Sequence, residues 1–248
     1  MTAGGAAVES VSRVDETPDL MQSEPQAGLP FEGAPYCGPV AASDSLIYMS
    51  KHGYPRLTSA SALDARAQGQ LSLRLSKLMK TTRLGGTTPD GLMVGLRKYI
   101  GERGYVVESL QYQGWEHLDH GVALATLPQL AFVRKGLADD KSAVWLKIGW
   151  YRYFPAQDKY VRFAGHWVAV VGTEGDALIV HDPAPRSGSA ASHDRVVPTE
   201  IVHGKIQTGY EGAKTMDAHG YHKLGGGLKI KQRADFGILD GVVVLRLK

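Results

Sequence analysis

Residues 31–55, FEGAPYCGPVAASDSLIYMSKHGYP, contain the only cysteine of the chain, Cys37, set between an aromatic residue and a Gly-Pro pair. Val40, Leu46, Ile47 and Met49 follow at helical spacings, and the Gly and Pro of HGYP predict that this helix stops near Lys51. Cys37 therefore stands at a helix N-terminus. A single cysteine forms no internal disulfide, and it lacks the second sulfur that most structural zinc sites use. Two readings of it remain. It is a small buried hydrophobe, or it is a reactive thiol whose ionised form is favoured by the unpaired N–H groups and partial positive charge of the helix start. On the second reading Gly38 leaves room for a substrate backbone and Pro39 suits the first helical turn, where an N–H has no partner.

The residues after this helix continue the helical pattern. QLSLRLSKLMK (70–80) is amphipathic, and TTPDGLMVGLRKYIGERGY (87–105) predicts a helix capped by Thr88, with Pro89 in its first turn and Gly104 closing it. YVVESLQY (105–112) reads as a strand and LPQLAFVRKGL (127–137) as a short helix. SAVWLKIGWY (142–151), HWVAVVG (166–172), ALIVHD (177–182) and GVVVLRLK (241–248) read as strands between Gly, Pro and Asp turns. Helices followed by a block of strands predict an α+β domain, and no internal repeat suggests a solenoid. Between Ala184 and Gly237 the pattern weakens, which predicts long loops decorating the sheet. Residues 1–27 are small, polar and acidic, and predict a flexible tail before a single domain over 28–248.

With 248 residues, 43% of them hydrophobic and 21% charged, the chain can bury a sizeable core. A formal net charge of +3, evenly spread, argues against nucleic acid as a partner. No apolar run approaches the ~20 residues that cross a bilayer, and no secretory signal is visible at the N-terminus. The compartment stays open: cytoplasmic if the chain is complete, secreted if a leader has been removed.

A thiol nucleophile needs a base and a group that orients the base. Of the nine histidines, His166 in FAGHWVAVVG follows a small-small pair, Ala164 and Gly165, and opens an apolar strand. The turn GTEGD then returns the chain as ALIVHDPAP, so that a hairpin brings Asp182 alongside His166 to within a register step. His181 points to the opposite face of its strand. His219 and His222 have no Cys or carboxylate at ligand spacing, so no metal site is expected, nor any cofactor. His52, His117, His120, His193 and His203 read as surface or loop residues. The glycines at 225–227 are read as following no strand and carry no GK[ST] ending, which argues against a phosphate loop.

YCGPVAASDSL, TTPDGLMVGLRKYIGERGY and GHWVAVVGTEGDALIVHDPAP, in that order, resemble the papain-like cysteine peptidases, specifically the bacterial leader peptidases that cut after double-glycine motifs and their stand-alone relatives. The resemblance spans about Pro30 to Pro185. It implies a papain-like fold, with a helical lobe carrying the cysteine packed on an antiparallel sheet carrying the histidine and aspartate. It further implies Cys37 as nucleophile, His166 as general base and then acid, Asp182 as the group holding the imidazole, and a peptide or protein as substrate. Tyr36, Gly165, Trp167 and the GWYRYF segment are candidates for the substrate groove. The family places an oxyanion-hole glutamine five or six residues before the cysteine, where this chain has Glu32 and Phe31; Gln26 lies further upstream. An ionised glutamate only accepts hydrogen bonds. Three activities follow as alternatives: peptide or amide hydrolysis through an acyl-enzyme, a catalytically silent peptide-binding module, or acyl transfer by the same three residues.

Overall fold

The computed structural model describes residues 11–58, 64–185, 195–209, 214–231 and 233–248. Four helices precede or interrupt the strands: α1 (Cys37–Lys51), α2 (Ala65–Leu78), α3 (Pro89–Glu102) and α4 (Leu130–Leu137). Thr88 Oγ1 accepts from the Gly91 N–H (3.0 Å) at the start of α3, as its position before Pro89 predicts. α2 starts five residues before the amphipathic run, because Asp64 caps it by accepting from the Ala67 N–H (2.8 Å).

The strands are β1 (Val107–Gly114), β2 (Ser142–Phe154), β3 (Lys159–Glu174), β4 (Ala177–His181), β5 (Arg195–Glu200), β6 (Lys205–Gln207), β7 (Thr215–Asp217), β8 (His222–Gly226) and β9 (Phe236–Leu247). The fold is α+β, but its sheet closes. β2, β3, β4, β5, β8 and β9 pair in a ring, each antiparallel to its neighbours, and form a six-stranded barrel. β1 extends the sheet from β9, and β6 pairs with β3 in parallel, so the sheet is not wholly antiparallel. β5 and β8 come from the stretch that reads as loops. They are short, and Pro198 and a Gly-Gly pair, Gly225 and Gly226, break the alternation by which longer strands announce themselves. Residues 186–194 of that stretch, including His193, lie outside the described residues.

Alternation along β2 and β3 divides two cores. Val144, Leu146, Ile148, Trp150, Val168 and Val170 face the barrel interior with Leu178, Val180, Val196, Leu224 and Leu239, and α4 adds Val133 and Leu137. Ala143, Trp145, Trp167 and Ala169 face outward into a second core built with α1, α2 and α3.

Residues 11–27 pack on this body, where composition predicts a flexible tail. Ser12 bridges Gly172, the Arg13 N–H donates to the Val171 carbonyl (2.7 Å), and the Gln22 N–H donates to the Pro183 carbonyl (2.7 Å). Leu20 and Ala27 are buried with Leu29, Tyr36 and Val40. The segment docks through backbone bonds, one buried arginine and a few buried apolar side chains, an arrangement that amino-acid composition does not record. Residues 1–10 lie outside the described residues. No helix among the described residues is long and apolar enough to cross a membrane.

Candidate active site

α1 is buried on all sides from Cys37 to Met49, and it is pinned to the barrel by Trp145 on β2, whose Nε1 donates to the Ala41 carbonyl (3.0 Å). The chain leading into α3 crosses the start of α1. There the Thr87 carbonyl accepts from Trp167 Nε1 (2.8 Å) and from Lys147 Nζ (3.1 Å). A Cβ on Gly38 would lie 2.9 Å from Thr87 Cβ and 3.2 Å from Trp167 Cδ1. The glycine thus admits Thr87 against the helix start. It does not leave room for substrate, as the sequence suggests.

This packing sets Cys37, the first residue of α1, beside β3. His166 lies two residues before Val168, and its ring stacks on Trp150 with centroids 6.0 Å apart. Asp182 follows directly on β4, and its Oδ1 accepts from His166 Nε2 (2.5 Å) and from the Ala184 N–H (2.8 Å). The other ring nitrogen, Nδ1, is left on the side of Cys37, whose sulfur is close enough to the His166 ring for each to shift the other's ionisation. All three residues are buried.

Desolvation by burial disfavours the imidazolium, but the Asp182 carboxylate and the Cys37 sulfur outweigh it and raise the His166 pKa to about 10. For Cys37, desolvation pushes the thiol pKa up, while the His166 hydrogen bond and charge, the Lys147 ammonium and the Trp167 N–H pull it down. The net shift is downward. The arrangement favours a thiolate beside an imidazolium, the form in which a cysteine is nucleophilic.

Two clefts meet at the sulfur. One, of about 330 Å³, is lined by His166, Trp150, Gln22, Ala184 and Lys229. The other, of about 430 Å³, runs past Gly86, Thr87, Gly165 and Trp167 over Lys147, Arg162 and Glu116. Gly165 and Trp167 thus line the space beside Cys37. Tyr36 does not: it packs beneath the N-terminal segment with Leu20 and Val40. Of GWYRYF only Trp150 reaches the clefts; Tyr151 is buried elsewhere and donates to Asp240 Oδ1 (2.7 Å).

Glu32 is exposed at φ 52° and lines neither cleft, and Gln26 is exposed as well. The glutamine that does reach the site is Gln22, fifteen residues before Cys37. Its Nε2 donates to the carbonyls of Gly33 (3.0 Å) and Ala34 (3.1 Å), and its Oε1 is buried without a hydrogen-bond donor. Sequence reasoning passed over Gln22 because it lies in the polar stretch read as a tail. It also passed over Lys147, although a lysine inside the apolar run VWLKIG is itself a signal, since lysine is almost never fully buried without a reason.

No family model matches the chain, and no curated protein matches it. Among solved structures it is similar to a "putative C39-like peptidase" from Bacillus anthracis, at 10% identity and a TM-score of 0.39, over 72% of this chain and 85% of that one. A superposition that loose fixes neither fold family nor chemistry.

Proposed function

We propose that the protein is a papain-like cysteine hydrolase of peptide or related amide bonds. The observation that supports this reading is the His166 ring, bonded through Nε2 to Asp182 and lining one cleft together with Cys37. The Cys37 thiolate attacks the scissile carbonyl, forming a C–S bond and an oxyanion. His166 Nδ1 gives its proton to the leaving amine as the C–N bond breaks. Water, deprotonated by the now neutral imidazole, then attacks the thioester; the C–S bond breaks and the thiolate and imidazolium return. Asp182 holds the ring in one orientation throughout.

Two outcomes test the reading. Hydrolysis of a fluorogenic peptide library, or of a double-glycine leader peptide, with a Cys37 thioester trapped by mass spectrometry and both lost in Cys37→Ala, is expected. Iodoacetamide should alkylate Cys37 with a pH midpoint well below the ~8.5 of a free cysteine, and His166→Ala should move that midpoint upward. A free-thiol midpoint in the wild type rules the nucleophile out. An added amine that appears in the product makes the reaction a transfer.

A second reading, a silent peptide-binding module, is favoured by one specific feature. Glu32 lines neither cleft and both Gln22 Nε2 hydrogens are committed to carbonyls, so neither of these residues offers a donor to an oxyanion. Tight binding of library peptides with no thioester and no cleavage would establish it over hydrolysis.

A further inference from the structure

Lys147 takes no bond-making part in the hydrolytic scheme beyond favouring the Cys37 thiolate, yet it is among the costliest residues in the molecule to bury. Its residue is 6% exposed, its ammonium forms one hydrogen bond, to the Thr87 carbonyl, and it pairs with no carboxylate among the described residues. An ammonium donates three hydrogen bonds, so two are left over. A buried charge without a carboxylate partner costs several kcal/mol, which a folded protein tolerates where the charge is used.

The ammonium lies 4.9 Å from the Trp167 ring centroid and against Gly165, where a Cβ would sit 3.3 Å from Nζ. Arg162 converges on the same glycine: its Nη2 would be 2.6 Å from that Cβ. Gly165 therefore keeps the cleft open over two cations. Arg162 is already answered, by Asp240 Oδ2 at 2.7 Å from Nε and by Glu116 Oε1 at 3.7 Å from Nη2. Arg83 and Lys231 line the same cleft. Against these four cations stand Glu116 in the lining, Asp240 beneath Arg162 and the Cys37 thiolate, which His166 also answers, so positive charge is in excess, and Lys147 is the buried part of it.

The side of the substrate that enters this cleft follows from the chemistry. The leaving amine takes its proton from His166, and His166 lines the other cleft. The 430 Å³ cleft therefore receives the acyl portion. We propose that this cleft is a subsite for a carboxylate carried by the acyl side of the substrate, an Asp or Glu side chain within about two residues of the scissile carbonyl, with Lys147 as its counter-ion. The proposal rests on the hydrolase reading for the direction in which the substrate lies. Burial already lowers the Lys147 pKa, and a substrate carboxylate drawn against the ammonium restores its charge.

The test compares peptide pairs that differ only by Glu against Gln, placed one or two residues to the acyl side or to the leaving side of the cut, in the wild type and in Lys147→Met at about pH 6.5. A charge-assisted pair in a partly closed site is worth roughly tenfold or more. The wild type should therefore favour Glu over Gln in kcat/KM by about that factor on the acyl side alone, with less preference as salt is raised. Lys147→Met should bring the ratio near one. If Lys147 serves only to hold the thiolate, Lys147→Met slows Glu and Gln peptides equally; that result, equal preference on both sides of the cut, or no wild-type preference, overturns the proposal. The wild-type ratios decide the matter even if Lys147→Met fails to fold. Alkylation by iodoacetate relative to its neutral isostere iodoacetamide separates the two readings. Peptides left uncut, with an iodoacetate advantage that falls several-fold in Lys147→Met, remove the hydrolase and keep the anion subsite; peptides cut without acid preference do the reverse.

Discussion

A methyl group at Gly38 would meet Thr87 at 2.9 Å, and Thr87 is a stiff, buried, β-branched residue whose carbonyl holds both Trp167 and Lys147. In an open helix, Gly→Ala stabilises by up to about 1 kcal/mol. Here overpacking of ~1–3 kcal/mol opposes it. Gly38→Ala should therefore lower the urea midpoint and slow Cys37 alkylation, and a stabilised variant with wild-type reactivity would show that Thr87 yields. The Cys37 and His166 charges have opposite pH signatures. The His166 contribution to stability is complete below its unfolded value of about 6.5 and is lost as pH rises through about 10. The Cys37 contribution is present above its unfolded value and is lost as pH falls through its depressed folded one. His166→Ala should thus forfeit most stability near neutral pH and little at pH 11, checked by denaturation across that range. Cys37, His166 and Asp182 were legible in the sequence because each is marked locally, by a helix start, a strand start and a hairpin return. Gln22 and Lys147 were not, since what makes them notable is burial against residues distant in sequence.

α1 shows how an element can carry polar residues through a core. Its buried span includes Ser43 and Asp44, and α2 answers them: Gln68 Nε2 donates to Ser43 Oγ (2.9 Å) and to Asp44 Oδ1, and Ser72 Oγ donates to Ser43 Oγ (3.2 Å). Sequence patterning located both helices, but it could not announce that α1 lacks a solvent face, because the polar residues that suggest one are matched by polar residues on α2. Asp44 Oδ2 has no donor. Burial raises the Asp44 pKa well above the usual carboxylate range, and the hydrogen bonds from Gln68 and the Leu20 N–H only partly offset it. A carboxyl with a raised folded pKa stabilises the fold when protonated, and the contribution fades as pH rises past its unfolded value of about 3.9. Asp44→Asn should therefore be at least as stable as the wild type near pH 8, with the difference shrinking or reversing toward pH 4. A variant that loses more stability at pH 8 than at pH 4 would show that the carboxylate is wanted there as an ion.

At the scale of the whole molecule, two closures escape the sequence, one made of backbone and the other of backbone anchored by a single side chain. The barrel is sealed by β5 and β8, whose residues do not alternate, and the seam between β8 and β9 is narrow, with Lys223 paired to Ile238. The second closure is the segment over residues 11–27, which lies across β3 and brings Gln22 into the lining of the cleft that Cys37 shares. Its anchor is Arg13, 5% exposed, whose Nη1 donates to the Ser142 carbonyl (2.7 Å) and whose Nη2 donates to those of Leu137 (2.6 Å) and Asp139 (2.8 Å). The guanidinium also lies 4.9 Å over the Tyr48 ring of α1, so one side chain joins the N-terminal segment, the end of α4, the start of β2 and the cysteine helix. Arg13→Met keeps the apolar stem but removes every donor to the three carbonyls, of which that of Asp139 keeps the Ser142 N–H. Hydrogen bonds to a charged group are worth ~1.5–3 kcal/mol each, less what water recovers, so the variant should lose about 2–4 kcal/mol in urea denaturation. If the anchor holds the segment as a unit, the loss is local first. The N–H groups of Arg13 and Thr173, which bond the Val171 and Val11 carbonyls, should exchange with solvent much faster than those of β2. Peptide hydrolysis should fall more than alkylation by a small reagent, because Gln22 and the cleft wall move while Cys37 and His166, held by α1 and β3, do not. A change below ~0.5 kcal/mol, with exchange unaltered, would mean that the backbone ladder from Val11 to Arg13 suffices without its anchor.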